Sequence, residues 1–549
     1  YASPWLKLSI VPQSSSAVMV KHKEIPEVGL GSLSINMFLK AVRMFDMDYK
    51  AGQVFAYVYP TEKGAEAVAK KAYMSFITEN GLDFTVFPSV LRCENEVVSM
   101  MAKLLRCPPE GTGNMTSGGT ESVFLAMKTA RDWARSVKGI ERPEVVVPDT
   151  AHSCFFKAAH LLDVKITAVP VNPSTHKADV PAMQRACTAN TCLLVGSAVS
   201  YPQGVLDPIK EISALAQERG ILCHVDGCIG GFVLPHFRQL GRDVGEFDFA
   251  DCPGVTSMSV DLHKYAFCLK NASVVLYRSK DLRKFQIYTH SSWSGYTMVN
   301  ATMQSTKTGG PIAAAWATIN YIGQKGYLAL MKDIAAGTDL IASGISQING
   351  LRLVAKPDSN LVAFTSDTVP LWHLADEMRT RGWFIQPQLS FKKIPATLHI
   401  SVNPQAVKNG PRMLKDLEEA CGVVSKGMPT FSAEVQQAKD LVSRAPNGQL
   451  TDDQYEQLLS IAGMTRTDVP KKMARINAIL DSFDATMREQ LLLRFANDVY
   501  QHDEVQAELE AKQFMAAKKA ELRSFFKKVA PVILALVVLS LRTFVSRRR

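Results

Sequence analysis

Ser257-Met258-Ser259-Val260-Asp261-Leu262-His263-Lys264 is a strand-like run that ends in His-Lys and continues into Tyr265-Ala266-Phe267. A lysine set between two such stretches is expected to be sheltered, and burial is expected to lower its pKa and make the amine nucleophilic. Upstream, Cys223-His224-Val225-Asp226-Gly227 places an acid at the end of a second apolar run, 37 positions before His263. Further runs of this kind occupy Glu144 to Pro148, Lys165 to Val171 and Cys192 to Ala198. Short apolar strands separated by helical patterns, from about Phe84 to Thr308, predict a parallel sheet covered on both faces. Ligands of such sheets bind beyond the carboxyl ends of the strands, where Asp226 is expected to lie.

The chain has 549 residues, 47% hydrophobic and 21% charged, which excludes bulk disorder and points to two or three folded units. Its net charge of +10 is unevenly spread: residues 510–549 hold ten Lys or Arg against two acids. The remaining body is nearly neutral, so a membrane surface suits this charge better than a nucleic acid. Ten scattered cysteines without CxxC or zinc-type spacing read as reduced thiols, with no metal site.

Five segments are expected. Residues 1–83 mix loops with a helical pattern around Ala65 to Thr78 and could embrace a second subunit; 84–310 form the large domain. A smaller α+β domain occupies 311–425, with alternating patterns near Leu351 to Thr365. A charged, Ala- and Leu-rich helical extension covers 426–526, with Thr451-Asp452-Asp453 as a helix start. In the last segment, 527–549, thirteen uncharged residues (Val529 to Leu541) lie between Lys527-Lys528 and Arg542. A spanning helix needs about 20 apolar residues, so this stretch reads as a short anchor whose flanking cations snorkel, or else as a buried or partner-binding helix.

Two more elements complete the chemistry. Thr116-Ser117-Gly118-Gly119-Thr120-Glu121-Ser122 is a Gly-rich turn opening a helix, whose unpaired N–H groups and dipole suit a phosphate. His152 follows the run ending at Pro148, where a flat imidazole could stack on a planar ring. Taken singly, each has a plain structural reading: a turn, a loop histidine, a helix cap, a buried lysine. Their order in one chain favours a single site.

These runs, together with Tyr201-Pro202-Gln203-Gly204-Val205-Leu206-Asp207-Pro208, Gly230-Gly231-Phe232 and Ser273-Val274-Val275-Leu276-Tyr277, resemble the group II pyridoxal-phosphate (PLP)-dependent decarboxylase family. Within it they are most similar to the branch of lyases that cleave phosphorylated long-chain bases. The resemblance extends over about 51–421 and implies fold type I, the aspartate-aminotransferase-like architecture. It implies Lys264 as the Schiff-base lysine, Asp226 as partner of the pyridine nitrogen and His152 as the stacking ring. Gly119, Thr120 and His263 would hold the cofactor phosphate, with Thr306 supplied by a second subunit of a homodimer. Lys270 matches a lysine used for proton transfer, and Lys307 takes the place of an arginine for the substrate phosphate, without the planar two-pronged grip. Asn80, Tyr57 and Tyr201 are the further substrate-side candidates. The products would be a fatty aldehyde and phosphoethanolamine, made at a membrane, the endoplasmic reticulum, with the active domain facing the cytosol.

Several substrate-side positions depart from the lyase pattern. Ala51-Gly52-Gln53-Val54-Phe55 lacks a tyrosine hydroxyl, Asn80-Gly81-Leu82-Asp83 lacks an imidazole, Leu262 replaces a threonine, and Ala266-Phe267-Cys268-Leu269-Lys270-Asn271 is altered around its lysine. The alternatives are an amino-acid decarboxylase of the same fold and a non-catalytic, membrane-tethered relative.

Overall fold

The computed structural model describes residues 25–43, 46–60, 63–466, 470 and 472–500. Residues 48–430 form one compact unit, and the described parts of 1–47 and 431–549 belong to another.

The larger unit is built on seven strands: β1 (Thr112–Thr116), β2 (Glu144–Pro148), β3 (Lys165–Val169), β4 (Thr191–Ser197), β5 (Leu222–Asp226), β6 (Ser257–Val260) and β7 (Ser273–Tyr277). They lie in the order β1-β7-β6-β5-β4-β2-β3. Strands β3, β2, β4, β5 and β6 run parallel, while β7 is antiparallel to both of its neighbours. The sheet is therefore mixed, with its parallel part running from β6 to the β3 edge. β2, β4, β5, β6 and β7 are buried at every position, which is why they read as continuous runs rather than alternating ones.

The run from Ser257 to Lys264 stops short as a strand. β6 ends at Val260, and Asp261 begins a turn in which the Lys264 N–H donates to the Asp261 carbonyl at 3.3 Å. That turn, not strand geometry, aims the lysine.

A hairpin of β8 (Tyr288–His290) and β9 (Met298–Asn300) precedes the long helix Gly309–Gln347. Next comes a four-stranded antiparallel sheet of β10 (Arg352–Leu353), β11 (Leu361–Thr365), β12 (Gln386–Gln388) and β13 (Thr397–Ser401), in the order β10-β11-β13-β12. Its core centres on Trp383, wholly buried, whose indole N–H donates to Asp416 at 2.7 Å. Two joints lock the sheets together near the site. The Leu206 N–H donates to the Asp358 carboxylate, and the turn at Gly204 (φ 72°) packs where a Cβ would meet the Leu361 carbonyl oxygen at 2.3 Å.

In the other unit, helix Asp452–Ala462 starts with a full capping box: Thr451 accepts from the Gln454 N–H, and the Gln454 side chain accepts from the Thr451 N–H. With helices Ser432–Ser443, Ala474–Asp481 and Ala485–Val499 it encloses Ala438, Tyr455, Leu458, Ile479 and Leu491. Among the described residues, no helix is long and apolar enough to cross a membrane. The candidate anchor at 527–549 lies outside the described residues.

His224 on β5 and His399 on β13 are wholly buried, and burial pushes both imidazoles down to about 4. A base whose folded pKa is depressed contributes stability that is complete above its unfolded value, about 6.5, and lost as pH falls through the folded one. The urea midpoint is expected to be lower at pH ~5 than at pH ~7.5; equal midpoints would contradict the neutral, buried state of these rings.

Candidate active site

A cavity of about 350 Å³ opens at the carboxyl ends of the parallel strands, within the size range of small-molecule sites. One wall is the start of helix Gly119–Lys138, with Ser117, Gly118, Gly119 and Thr120 facing the space. No side chain caps this helix, so its first N–H groups are left for a ligand. The turn is held from behind. The Ser122 hydroxyl bonds Thr116 at 2.7 Å and Ser273 at 2.9 Å, while the Glu121 carboxylate accepts from the Ser117 N–H at 2.6 Å and the Met303 N–H at 2.8 Å. Gly119 is required here, because a Cβ would lie 2.7 Å from Cys228 Sγ and 2.8 Å from Asp261 Oδ2.

Asp226 ends β5 and borders the cavity; its Oδ1 accepts from the Cys228 N–H at 3.1 Å and faces the Ser259 hydroxyl at 3.5 Å. His152 lines the cavity from the loop after β2. Its Nδ1 accepts from the Cys154 N–H at 3.2 Å, which leaves Nε2 to carry the proton of the neutral ring. His263 also lines the cavity, and its buried Nδ1 has no partner. Lys264 Nζ sits 2.9 Å from Asp261 Oδ2.

From sequence alone, burial is expected to lower the Lys264 pKa. Burial does push the ammonium down, but the buried Asp261 carboxylate, aided by Cys228 and Tyr59, outweighs it and holds Lys264 well above its ordinary value. The 2.9 Å contact with Asp261 therefore favours the ammonium form of the amine. Asp261 was not singled out from the sequence, although its i,i+3 spacing from Lys264 would have revealed it had the stretch been read as a turn.

Of the substrate-side candidates Tyr201 lines the cavity, whereas Tyr57 and Lys270 stand outside its lining. The Tyr201 hydroxyl donates to Gln386 Oε1 at 2.5 Å, and the Gln386 amide donates to the Tyr57 hydroxyl at 3.0 Å. Gln386 thus joins two of the proposed substrate-side tyrosines from a strand of the small sheet, and nothing in the sequence signals it. Lys270 Nζ donates to the Tyr57 carbonyl at 2.6 Å and lies 5.1 Å from the Tyr59 ring centroid. Burial first and the nearby Lys264 charge second push the Lys270 ammonium below its ordinary value, which suits a proton-transfer role.

Other candidates are not brought to this cavity. The Asn80 side chain accepts from the Leu82 and Lys307 N–H groups, pinning residues 80 and 307 together. Lys307 Nζ is held by both Glu94 oxygens at 2.8 Å and by the Met115 carbonyl at 2.9 Å. Thr306 is exposed in the same loop; none of the three lines the cavity. Two of the departures from the lyase pattern also lie elsewhere. Phe55 is wholly buried in the small-sheet core, stacked on Trp383 at 5.9 Å, and Asp83 is exposed, closing a turn with Thr85. The expectation that Phe55 faces substrate is corrected: its ring packs as core.

Residues 41–367 match the pyridoxal-dependent decarboxylase conserved domain, and 418–498 match a C-terminal HTH domain described for pyridoxal-dependent enzymes. A sphingosine-1-phosphate lyase of Oryza sativa is 40% identical over 409 residues, covering 73% of this chain and 74% of the relative. The chain belongs to the sphingosine-1-phosphate lyase family. Among solved structures, the Burkholderia pseudomallei sphingosine-1-phosphate lyase superposes with a TM-score of 0.70 at 34% identity, covering 78% of this chain and 98% of that one. A Lactobacillus brevis glutamate decarboxylase, at 17% identity and a TM-score of 0.66, shares the fold.

This membership makes the chain a PLP-dependent lyase, and the cavity fits that cofactor. An uncapped helix start with no room for a Cβ suits the phosphate, the unpartnered His263 Nδ1 awaits a polar group, Asp226 suits a protonated ring nitrogen, and Lys264 reaches the same space.

Proposed function

We propose that the chain cleaves phosphorylated long-chain bases, sphingosine 1-phosphate and its saturated counterpart, into a fatty aldehyde and phosphoethanolamine. The observation that carries the reading is the convergence of Lys264, Asp226, His152 and the Gly119 helix start on one cavity in a lyase-family chain. Lys264 would hold the cofactor covalently, His152 would cover its ring, and Gly119, Thr120 and His263 would bind its phosphate. When bound, PLP supplies an electron sink for the charge left on Cα as the Cα–Cβ bond breaks.

The chain's residues do the rest. Asp226 stabilises a proton on the ring nitrogen. Lys270, with its depressed pKa, exchanges a proton at the reacting end of the substrate. Tyr57 and Tyr201, joined through Gln386, orient the substrate and narrow its entrance. Asn80, Thr306 and Lys307 contribute across a homodimer interface to the neighbouring site. For Lys307 this requires release from Glu94, or a role in shaping the loop rather than in touching phosphate. A long-chain substrate resides in a bilayer, so the basic-flanked tail at 527–549 fits attachment to a membrane such as the endoplasmic reticulum, with the site on the cytosolic side.

Incubating the purified chain and PLP with phosphorylated long-chain bases, and in parallel with amino acids, tests the reading. Long-chain aldehyde release without carbon dioxide is expected. Carbon dioxide from an amino acid would replace the lyase reading with the decarboxylase one, and neither product with PLP bound would leave a non-catalytic relative.

A further inference from the structure

Three carboxylate residues line the cavity; Glu121 holds the Ser117 and Met303 N–H groups, and the two aspartates differ in what they hold. Asp226 Oδ1 is occupied by the Cys228 N–H and the Ser259 hydroxyl. Asp261 is paired with Lys264 at 2.9 Å, and its side chain is only 3% exposed. The backbone fixes this second pair. The Asp261 carbonyl accepts from the Lys264 N–H, the Asp261 N–H donates to the Cys228 carbonyl at 3.3 Å, and both carboxylate oxygens lie within 2.9 Å of where a Gly119 Cβ would stand. The Asp261 carboxylate therefore packs directly beside the start of the helix Gly119–Lys138.

We propose that Asp261 is a positioning residue for cofactor capture: it anchors the Lys264 ammonium at the cavity wall and gates the step that joins this amine to the cofactor aldehyde. In that step the nitrogen forms a double bond to the aldehyde carbon. The aldehyde oxygen leaves as water with two of the three ammonium protons, and the nitrogen keeps the third. The first proton must depart before the lone pair can attack, and the Asp261 charge opposes that departure. The two aspartates therefore divide the work, Asp226 serving the ring and Asp261 the lysine.

The other titratable groups facing the pair are Tyr59, Tyr201, Cys154, Cys228, Asp226, His263 and Lys270. Among the described residues, Asp261 is the carboxylate in ion-pair contact with the ammonium.

The proposal rests on the cavity being the PLP site, but its test does not need turnover. In the cofactor-free full chain, acetic anhydride labelling of Lys264 is followed against pH by peptide mass. Half-maximal labelling of the wild type is expected above about 10.4, the ordinary lysine value. In Asp261→Asn it is expected to fall by at least about one unit, and PLP capture at neutral pH, followed by absorbance, to quicken about tenfold. Superimposed labelling profiles, or an unchanged capture rate, would overturn the proposal. Should Asp261→Asn not fold, the wild type decides: half-maximal labelling below the ordinary lysine value overturns it, and labelling above that value upholds it. Because labelling is read without cofactor or substrate, its failure leaves the lyase reading standing.

Discussion

Lys264→Arg is expected to abolish release of long-chain aldehyde, by on the order of 10³-fold or more, while leaving the fold intact. The amine at this position is the group proposed to hold the cofactor covalently, and a guanidinium stays charged and does not serve as the nucleophile. Arginine is the informative replacement because Asp261 is buried against the ammonium at 2.9 Å. Alanine would leave that carboxylate unpaired, a loss worth about 3–5 kcal/mol in buried pairs, and would confuse instability with lost chemistry. Arginine keeps the charge. Lys264→Arg should therefore unfold near the wild-type urea midpoint, lose the PLP absorbance band that marks covalent attachment, and give no aldehyde. Aldehyde release above about a hundredth of the wild-type rate would remove Lys264 from the centre of the mechanism.

Asp226→Asn is the second large effect, with turnover expected to fall about 10²–10³-fold at nearly unchanged stability. The amide oxygen can still accept from the Cys228 N–H and the Ser259 hydroxyl, so the β5 end should keep its shape. What is lost is the negative charge that favours a protonated ring nitrogen. The effect should thus fall on kcat, with the cofactor still attached through Lys264 and KM little changed. A variant retaining more than a tenth of the wild-type kcat would show that the carboxylate is structural.

Much of this was legible in the chain because it depends on local order. Burial on both faces makes β2, β4 and β5 continuous apolar runs, so their positions could be read to within two residues, and the acid at the end of β5 followed from the same pattern. The Gly-rich turn and the Thr451 helix start were equally local, since their signals are glycines and capping side chains within four positions. Gln386 was not legible, because its partners Tyr57 and Tyr201 lie 329 and 185 positions away and only sheet packing brings them together.

By itself the sequence determined an α/β fold, with Asp226 at a strand end and Gly119 at a helix start, because local patterning specifies such positions, and its resemblance to a known family pointed to PLP and to Lys264 and His152 as proposed partners of that cofactor. Tertiary structure decided the Asp261 partner of Lys264, the Glu94 partner of Lys307 and the core position of Phe55. Those outcomes depend on which buried group lies within about 3–6 Å across the fold, a distance that one-dimensional order does not encode.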